Sequence, residues 1–262
     1  MVNDIASKEA VKDQYENSSN LDTRISIHRK YSVNQQGFNS WIFSNYEIKA
    51  GSRILELGCG TGVAWKENIS CLRGCFELVL TDLSEGMLKS AKESLKDKEQ
   101  VSFNLVDIQS IPYEDRCFDV VIANMMLYHV PDINKGLSEV KRVLRNDGVF
   151  YCATFGENGI VEYLSNMLGL HRSDLPANHR FTLQNGKGFL MNYFLNTKKL
   201  LYEDSLEVTD IDDLMKYLYS LSGMDKISRL PAEEARRNLT DHMVNGVLTI
   251  PKEYGMFVCK NK

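Results

Sequence analysis

Short apolar runs alternate with amphipathic segments across residues 52–154, and this alternation constrains the fold of the chain more than any other feature. The apolar runs lie at 52–57, 76–81, 101–106, 118–123 and 149–154. Before the fifth run, apolar residues recur at three- and four-residue spacing, as one face of a helix requires, at Ile133, Leu137, Val140 and Leu144. Strands that alternate with helices predict an α/β fold with a mainly parallel sheet covered on both faces.

The composition and charge exclude several classes of protein. The 262 residues are 25% charged and 43% hydrophobic, a globular balance that argues against disordered and fibrous proteins. The net charge of −4 argues against nucleic acid as a partner, because nucleic-acid binders usually carry a basic excess. No window approaches the run of about 18 apolar residues that spans a membrane, and the polar N-terminus does not resemble a signal peptide. Cysteines in apolar segments fit a reducing compartment, so we expect a cytoplasmic protein.

A glycine-rich segment follows the first apolar run and reads Ile54-Leu-Glu-Leu-Gly-Cys-Gly-Thr-Gly62. Its alternating glycines permit a tight turn and a close approach of ligand to main chain, and the next helix start offers amide donors. Asp82 ends the second run, where its carboxylate can accept hydrogen bonds from both hydroxyls of a ribose. The dinucleotide-binding fingerprint would place its third small residue at Val63 and does not require Glu56. The spacing therefore disfavours a nicotinamide cofactor.

These segments together resemble the class I S-adenosylmethionine-dependent methyltransferases, in particular the small-molecule branch that includes the ubiquinone and menaquinone methyltransferases. The resemblance covers about residues 50–156 and rests on ILELGCGTG and on the segments 81–88, 106–108, 117–132 and 137–148. It implies a Rossmann-like sheet of seven strands with the last strand antiparallel. It also implies S-adenosylmethionine as the cofactor and S-adenosylhomocysteine as the product.

The resemblance implies a cofactor site at the ends of successive strands. The first acid and the glycine loop would surround the methionine part, the second acid would bind the ribose, and the next residues would line and read the adenine. An asparagine after the fourth strand would lie near the amino group of the cofactor. The residues so assigned are Glu56, Gly58, Cys59, Gly60, Thr61, Gly62, Asp82, Leu83, Met87, Asp107, Ile108 and Asn124.

Candidates for the acceptor side come from two places in the chain. Tyr128 and His129 follow the fourth run, and a histidine with its ordinary pKa near 6.5 can deprotonate a hydroxyl, thiol or amine. Packing at the strand end is the equal alternative for this histidine. The resemblance implies that the N-terminal segment folds over cofactor and substrate, which makes Arg24, Tyr31 and Trp41 candidates for the acceptor pocket. Helical core packing is the alternative for these three.

No metal site is predicted. Cys71 and Cys75 lie one helical turn apart but lack two further ligands nearby, and His171 and His179 fall in a loop-rich stretch. Pro251 and Gly255 predict a bend in the last strand.

The sequence predicts four segments with one function. They are an N-terminal helical cap (1–45), the cofactor-binding core (46–156), a helical insertion beside the acceptor (157–199), and strands and helices that complete the sheet (200–262). The predicted function is transfer of a methyl group from S-adenosylmethionine to a small-molecule acceptor by in-line displacement. An RNA methyltransferase and a non-catalytic S-adenosylmethionine-binding partner module are the alternatives. The acceptor, the accepting atom and the oligomeric state stay open.

Overall fold

A seven-stranded sheet organises the chain in the computed structural model, which describes residues 19–71, 74, 76–170, 180–221 and 230–261. The strands are β1 (Arg53–Leu57), β2 (Glu77–Asp82), β3 (Val101–Leu105), β4 (Phe118–Ile122), β5 (Leu144–Phe155), β6 (Asn196–Val208) and β7 (Leu248–Lys260). The helices are α1 (Ser19–Tyr31), α2 (Phe38–Ser44), α3 (Val63–Asn68), α4 (Glu85–Ser94), α5 (Ile133–Val143), α6 (Ile160–Met167), α7 (Gly186–Leu190), α8 (Ile211–Ser220) and α9 (Ala232–Asp241). None of these helices is long and apolar enough to cross a membrane. Cys75, His171 and His179 lie outside the described residues.

The strand order is β3-β2-β1-β4-β5-β7-β6. Strand β1 pairs in parallel with β2 on one side and with β4 on the other, so successive connections run in opposite directions from β1. Strand β7 lies antiparallel between β5 and β6. The predicted α/β fold and its antiparallel last strand are confirmed. In such a sheet, ligands bind beyond the carboxyl ends of the strands where the order reverses, which here is between β1 and β4.

The sheet is buried on both faces, as expected for parallel strands between helices. Adjacent residues Ile54 and Leu55 point to opposite faces, and both are fully buried. Leu137 of α5 packs on the face of Leu55, whereas Trp65 of α3 packs on the face of Ile54. Leu144, predicted on the face of α5, is instead the first residue of β5, because the helix ends at Val143.

The N-terminal helices are part of the hydrophobic core. Ile27 of α1 is buried in a cluster with α6, α8 and α9, and Ile42 and Phe43 of α2 are buried against the sheet. The Phe43 ring packs edge-to-face on Trp65 with 4.9 Å between ring centroids. A truncation that removes these helices therefore also removes core side chains. Point substitutions are the sharper test of what this segment does.

The C-terminal hairpin corrects one expectation. We predicted a bend at Pro251 and Gly255, but β7 pairs with β6 without interruption through both residues. Pro251 lies beyond the last pair between β7 and β5, so its missing N–H interrupts no ladder on that side. Gly255 is needed for space, since a Cβ there would lie 2.4 Å from the Leu200 carbonyl oxygen. Strand β6 begins at Asn196, inside the segment 157–199 that the sequence assigns to the helical insertion.

Candidate cofactor and acceptor site

A cavity of about 910 Å³ opens at the carboxyl ends of the central strands. Most of the predicted cofactor residues line it, namely Glu56, Gly58, Cys59, Gly60, Thr61, Asp82, Leu83, Met87, Asp107, Ile108 and Asn124. Residues of α1, α2 and the segment after β5 line the remainder. The cavity therefore joins residues that are far apart in the sequence at the position expected from the strand order.

The three glycines of the loop share a backbone conformation but differ in the space around them. Gly58, Gly60 and Gly62 all have φ between 57° and 72°, in the left-handed region that favours glycine. A Cβ at Gly58 would lie 2.9 Å from the Met126 Cβ, and one at Gly62 would lie 3.2 Å from the Ala91 Cβ. A Cβ at Gly60 would meet nothing within 4 Å. Packing thus requires two of the glycines, whereas Gly60 leaves open space beside the cavity.

Asp82 connects the glycine loop to the end of β2. One carboxylate oxygen accepts a hydrogen bond from the Gly60 amide and the other accepts one from the Ser84 amide, both at 2.9 Å. Burial raises the pKa of Asp82, although these amides oppose the shift. Each carboxylate oxygen has a second lone-pair site, so the group can still accept bonds from two hydroxyls. The geometry suits a ribose and fixes the loop at the same time.

Glu56 is a buried acid at the base of the cavity, with 4% of its surface exposed. The Trp65 indole N–H donates a hydrogen bond to its carboxyl group. Burial raises the pKa of Glu56 to about 8, and the charge of Asp82 adds to the shift. Asn124 lines the same wall and donates to the Tyr46 hydroxyl at 2.6 Å. Its buried side-chain oxygen has no partner among the described residues.

These two groups fit the amino group of the cofactor. An ammonium group would donate to the Asn124 oxygen and would favour the ionised form of Glu56. Tyr46, which orients Asn124, was not identified from the sequence. It lies 78 residues from Asn124 in the chain, and no motif connects them.

Glu56 should make the stability of the ligand-free protein depend on pH. The folded-state pKa of Glu56 is about 8, above the ordinary value of 4.5. Between pH 4.5 and about pH 8, the carboxyl group therefore keeps its proton in the folded state and has lost it in the unfolded state. The free energy of unfolding should therefore fall as the pH rises, by about 1 kcal/mol from pH 6 to pH 7. Urea unfolding of wild type and Glu56→Gln at both pH values measures this contribution. An equal pH dependence in the two proteins would contradict it.

The predicted adenine residues lie at the ends of β2 and β3. Met87 and Ile108 are buried side chains at the wall of the cavity, which Leu83 also lines. The Asp107 carboxylate accepts a hydrogen bond from the Gln109 amide at 2.9 Å, which fixes its direction. An apolar wall with one oriented carboxylate is suited to a planar base with an amino group at its edge.

Tyr128 and His129 lie in a short 3₁₀ turn, Leu127–His129, and both line the cavity. Their ring centroids are 4.5 Å apart. Burial lowers the pKa of His129 to about 4, and the charge of Arg24 adds to this shift. The imidazole is therefore neutral at pH 7, but it is a weak base, since an efficient general base has a pKa near the working pH. Its catalytic role stays a prediction, and the electrostatics favour contact with the acceptor over proton removal.

The three N-terminal candidates separate into two groups. Arg24 lines the cavity, and its contact with an acceptor stays a prediction. Tyr31 and Trp41 are not among its lining residues. The Tyr31 hydroxyl donates to Asp213 at 2.9 Å, and Trp41 stacks on Phe38 with 5.9 Å between centroids. Of the three, we therefore keep only Arg24 as a candidate for the acceptor pocket.

Five further residues at the acceptor end were missed from the sequence. They are His28, Glu162, Tyr217, Lys252 and Tyr254, and all line the cavity. They come from α1, α6, α8 and β7, which only the tertiary fold brings together. Within the described ranges, no group of three or more His, Cys, Asp or Glu side chains converges as a metal site.

Comparison with known proteins gives a family for the central part of the chain. Residues 55–152 match the sequence model of a family described as a methyltransferase domain. The chain is 30% identical over 153 residues to a demethylmenaquinone methyltransferase of Staphylococcus saprophyticus. That match covers 58% of this chain and 65% of the relative, which is slightly less than two thirds of its length.

Two solved structures show the same fold. The YcgJ protein from Bacillus subtilis is 20% identical with a TM-score of 0.59, over 86% of this chain and 98% of that one. The second is Haemonchus contortus phosphoethanolamine N-methyltransferase 2, solved with phosphomonomethylethanolamine and S-adenosylhomocysteine. It is 16% identical with a TM-score of 0.59, over 98% of this chain and 60% of that one. With the motifs and the strand order, the two sequence matches show that residues 55–152 form a methyltransferase domain, which resembles the class I S-adenosylmethionine-dependent methyltransferases and, among them, the quinone methyltransferases.

Proposed function

We propose that the protein transfers a methyl group from S-adenosylmethionine to a small-molecule acceptor. The observation that carries this proposal is the continuous cavity, in which the cofactor residues and an acceptor end share one space. Its volume of about 910 Å³ lies near the upper end of the usual range for ligand pockets, as a site for two molecules requires. Residues from α1, α2 and the segment after β5 would form the acceptor side.

The chain's own residues would hold the cofactor by three kinds of contact. Asp82 would accept bonds from the ribose hydroxyls, Glu56 and Asn124 would bind the amino group, and Asp107 would read the adenine edge. When bound, S-adenosylmethionine supplies a methyl group on a positively charged sulfur, which is already activated for displacement. The protein then needs mainly to align the acceptor atom with this methyl and to exclude water.

The acceptor end of the cavity is suited to holding an acceptor in line with the methyl group. Met126, Tyr128 and Phe155 supply apolar and aromatic surface, with 4.6 Å between the Tyr128 and Phe155 ring centroids. His129 is neutral and weakly basic at pH 7. An acceptor atom that is nucleophilic without help, or that ionises easily, fits this environment best.

The relative's name provides the first acceptor to test. A reduced demethylmenaquinone is a small, largely apolar ring compound and fits the aromatic wall. The net charge of −4 supports a metabolite over RNA. Cys152 and Cys259 are free and fully buried, which supports a cytoplasmic location as part of the same proposal.

A labelled-donor assay tests the proposal. The full chain is incubated with S-adenosylmethionine carrying a labelled methyl group and, in parallel, with reduced demethylmenaquinone, a metabolite extract and total RNA. We expect label in a small molecule and inhibition by S-adenosylhomocysteine. Label in RNA would favour an RNA methyltransferase. Tight binding of S-adenosylhomocysteine without any transfer would favour a non-catalytic module.

A further inference from the structure

Two tyrosine rings pack against His28 at the acceptor end of the cavity. The His28 ring lies 6.2 Å from the Tyr217 ring in an edge-to-face arrangement and 5.7 Å from the Tyr254 ring, measured between centroids. Tyr217 and Tyr254 lie on α8 and β7, and both line the cavity. The imidazole of α1 is therefore packed against two elements, α8 and β7, that are distant from it in the sequence.

One nitrogen of His28 is left for a ligand. Its Nε2 lies 3.4 Å from the Tyr254 hydroxyl. Its Nδ1 is enclosed and has no hydrogen-bond partner among the described residues. Burial lowers the pKa of His28 to about 3, helped by the charge of Lys252 and opposed by Asp204. A neutral imidazole has one donor and one acceptor nitrogen, so Nδ1 can bond to a group that both donates and accepts.

Glu162 presents a second enclosed polar atom to the same cavity. It lies on α6, and its Oε2 has no partner within the described part of the chain. Buried polar atoms without a partner are rare, because each costs about 1–3 kcal/mol. His28 Nδ1 and Glu162 Oε2 belong to residues that line the same cavity, as does the unpartnered Asn124 oxygen at its cofactor end. Such atoms indicate that bound molecules complete their hydrogen bonds.

Charges of both signs surround this end of the cavity. Arg24 acts on Tyr217 and His129, and Lys252 acts on His28. Asp204 pairs with Lys252, and Glu162 lines the cavity. An anion would be opposed by Glu162, and a cation would be opposed by Arg24. A neutral group that donates and accepts hydrogen bonds is repelled by neither residue.

We propose that His28 and Glu162 form a subsite for a neutral polar group, a hydroxyl or a carboxamide, that the acceptor carries in addition to the atom that is methylated. The subsite determines specificity, because an acceptor without this group leaves both buried atoms unpaired. The inference rests on the proposed function, since it treats this end of the cavity as the acceptor site.

A series of matched probes tests the subsite whatever the identity of the acceptor. The probes share one body and differ in one group: indane, indan-2-ol, indane-2-carboxamide, indane-2-carboxylate and 2-aminoindane. Their affinities for the full-length protein are measured by ligand-observed NMR, both with and without S-adenosylhomocysteine. We expect the alcohol and the amide to bind about tenfold more tightly than the carboxylate and the ammonium probe, the value of one to two net hydrogen bonds.

Two variants and one control show whether the difference in probe affinity comes from the subsite. His28→Phe replaces the imidazole by an aromatic ring without nitrogens, so it should weaken binding of the alcohol and the amide about tenfold and leave binding of indane nearly unchanged. His242→Phe is the control, because His242 is an exposed histidine after α9 that does not line the cavity and contacts the Asn238 carbonyl instead. Glu162→Gln should improve binding of the carboxylate probe while the alcohol still binds, which provides a second test if His28→Phe fails to fold.

The outcomes separate the subsite from the proposed function. Equal affinities for neutral and charged probes, or equal behaviour of the His28 and His242 variants, would overturn the subsite even if the protein binds S-adenosylhomocysteine. Failure to bind S-adenosylhomocysteine would overturn the proposed function. The probe series without cofactor would still decide the subsite in that case.

Discussion

Asp204→Ala should lower the free energy of unfolding by about 3–5 kcal/mol, because it leaves the Lys252 ammonium without its buried partner. The side chains of Lys252 and Asp204 form an ion pair with 2% and 0% of their surfaces exposed. Breaking a buried pair costs far more than the pair contributes, since the remaining charge has lost both water and counter-charge. Urea unfolding at neutral pH measures the loss.

The pair also holds a loop that lines the cavity. Lys252 donates to the Ser32 hydroxyl at 2.8 Å, and the Asp204 carboxylate accepts from the Asn34 amide at 2.9 Å. Ser32, Asn34 and the residues from Gln35 to Phe38 line the cavity. We therefore expect Asp204→Ala to weaken acceptor binding more than cofactor binding, because the cofactor residues lie on other strands.

The pH dependence of this contribution has the opposite sign to that of Glu56. Burial alone would raise the pKa of Asp204, but the hydrogen bonds from Lys252 and the Asn34 amide outweigh it and hold this pKa below its usual value. The stability that the pair contributes is therefore present at neutral pH. It is lost in acid as the pH falls through the lowered pKa.

Two controls make the result specific to a buried charge. Lys96→Ala removes an exposed partner of Glu93 and should change the stability by less than about 1 kcal/mol. The double variant Asp204→Leu with Lys252→Met replaces the pair by apolar side chains and should recover much of the loss. A loss in Asp204→Ala no larger than that in Lys96→Ala would show that the charges are not desolvated.

The cofactor end was predictable from sequence because its parts are local. Each acid or glycine stands in or directly after an apolar run, and parallel strands bring their carboxyl ends to one edge of the sheet. Asp82 and the Gly60 amide, 22 residues apart, are therefore neighbours in any fold of this class. A strand pattern and a few turn residues are sufficient to place them.

The acceptor end was not predictable in the same way, because its contacts depend on packing between distant elements. Lys252 and Ser32 are 220 residues apart, and His28 and Tyr254 are 226 apart. Tyr31 and Trp41 were chosen because they lie in the N-terminal segment that the resemblance implies folds over cofactor and substrate. The Tyr31 hydroxyl is turned toward Asp213, and Trp41 stacks on Phe38, so that Phe38 rather than Trp41 lines the cavity. The prediction of a bend at Pro251 was wrong for a related reason. Whether a proline interrupts the hydrogen bonds of the sheet depends here on where the neighbouring strand β5 ends, not on the sequence of β7.

Asp82→Ala should weaken binding of S-adenosylhomocysteine about tenfold to a hundredfold, the value of charge-assisted hydrogen bonds of about 1.5–3 kcal/mol. The structure favours the upper part of this range. The variant removes the acceptor proposed for the ribose and also leaves the Gly60 and Ser84 amides without their partner. The glycine loop then loses its connection to β2, so cofactor binding must also order the loop. Titration calorimetry with S-adenosylhomocysteine measures the change.

Asp82→Asn separates loss of binding from loss of folding. Burial raises the pKa of Asp82, so the ionised carboxylate lowers the stability of the ligand-free protein as the pH rises through that pKa. Asparagine has no charge to bury and keeps one acceptor oxygen, but its NH2 group faces one of the two amides. The variant should therefore be more stable than Asp82→Ala at pH 7, while its affinity for S-adenosylhomocysteine stays below that of the wild type. Asp147→Ala, at an exposed position in β5, should change neither property. Unchanged affinity in both Asp82 variants would contradict the ribose contact and place the cofactor elsewhere, because Asp82 is the carboxylate at the carboxyl end of β2.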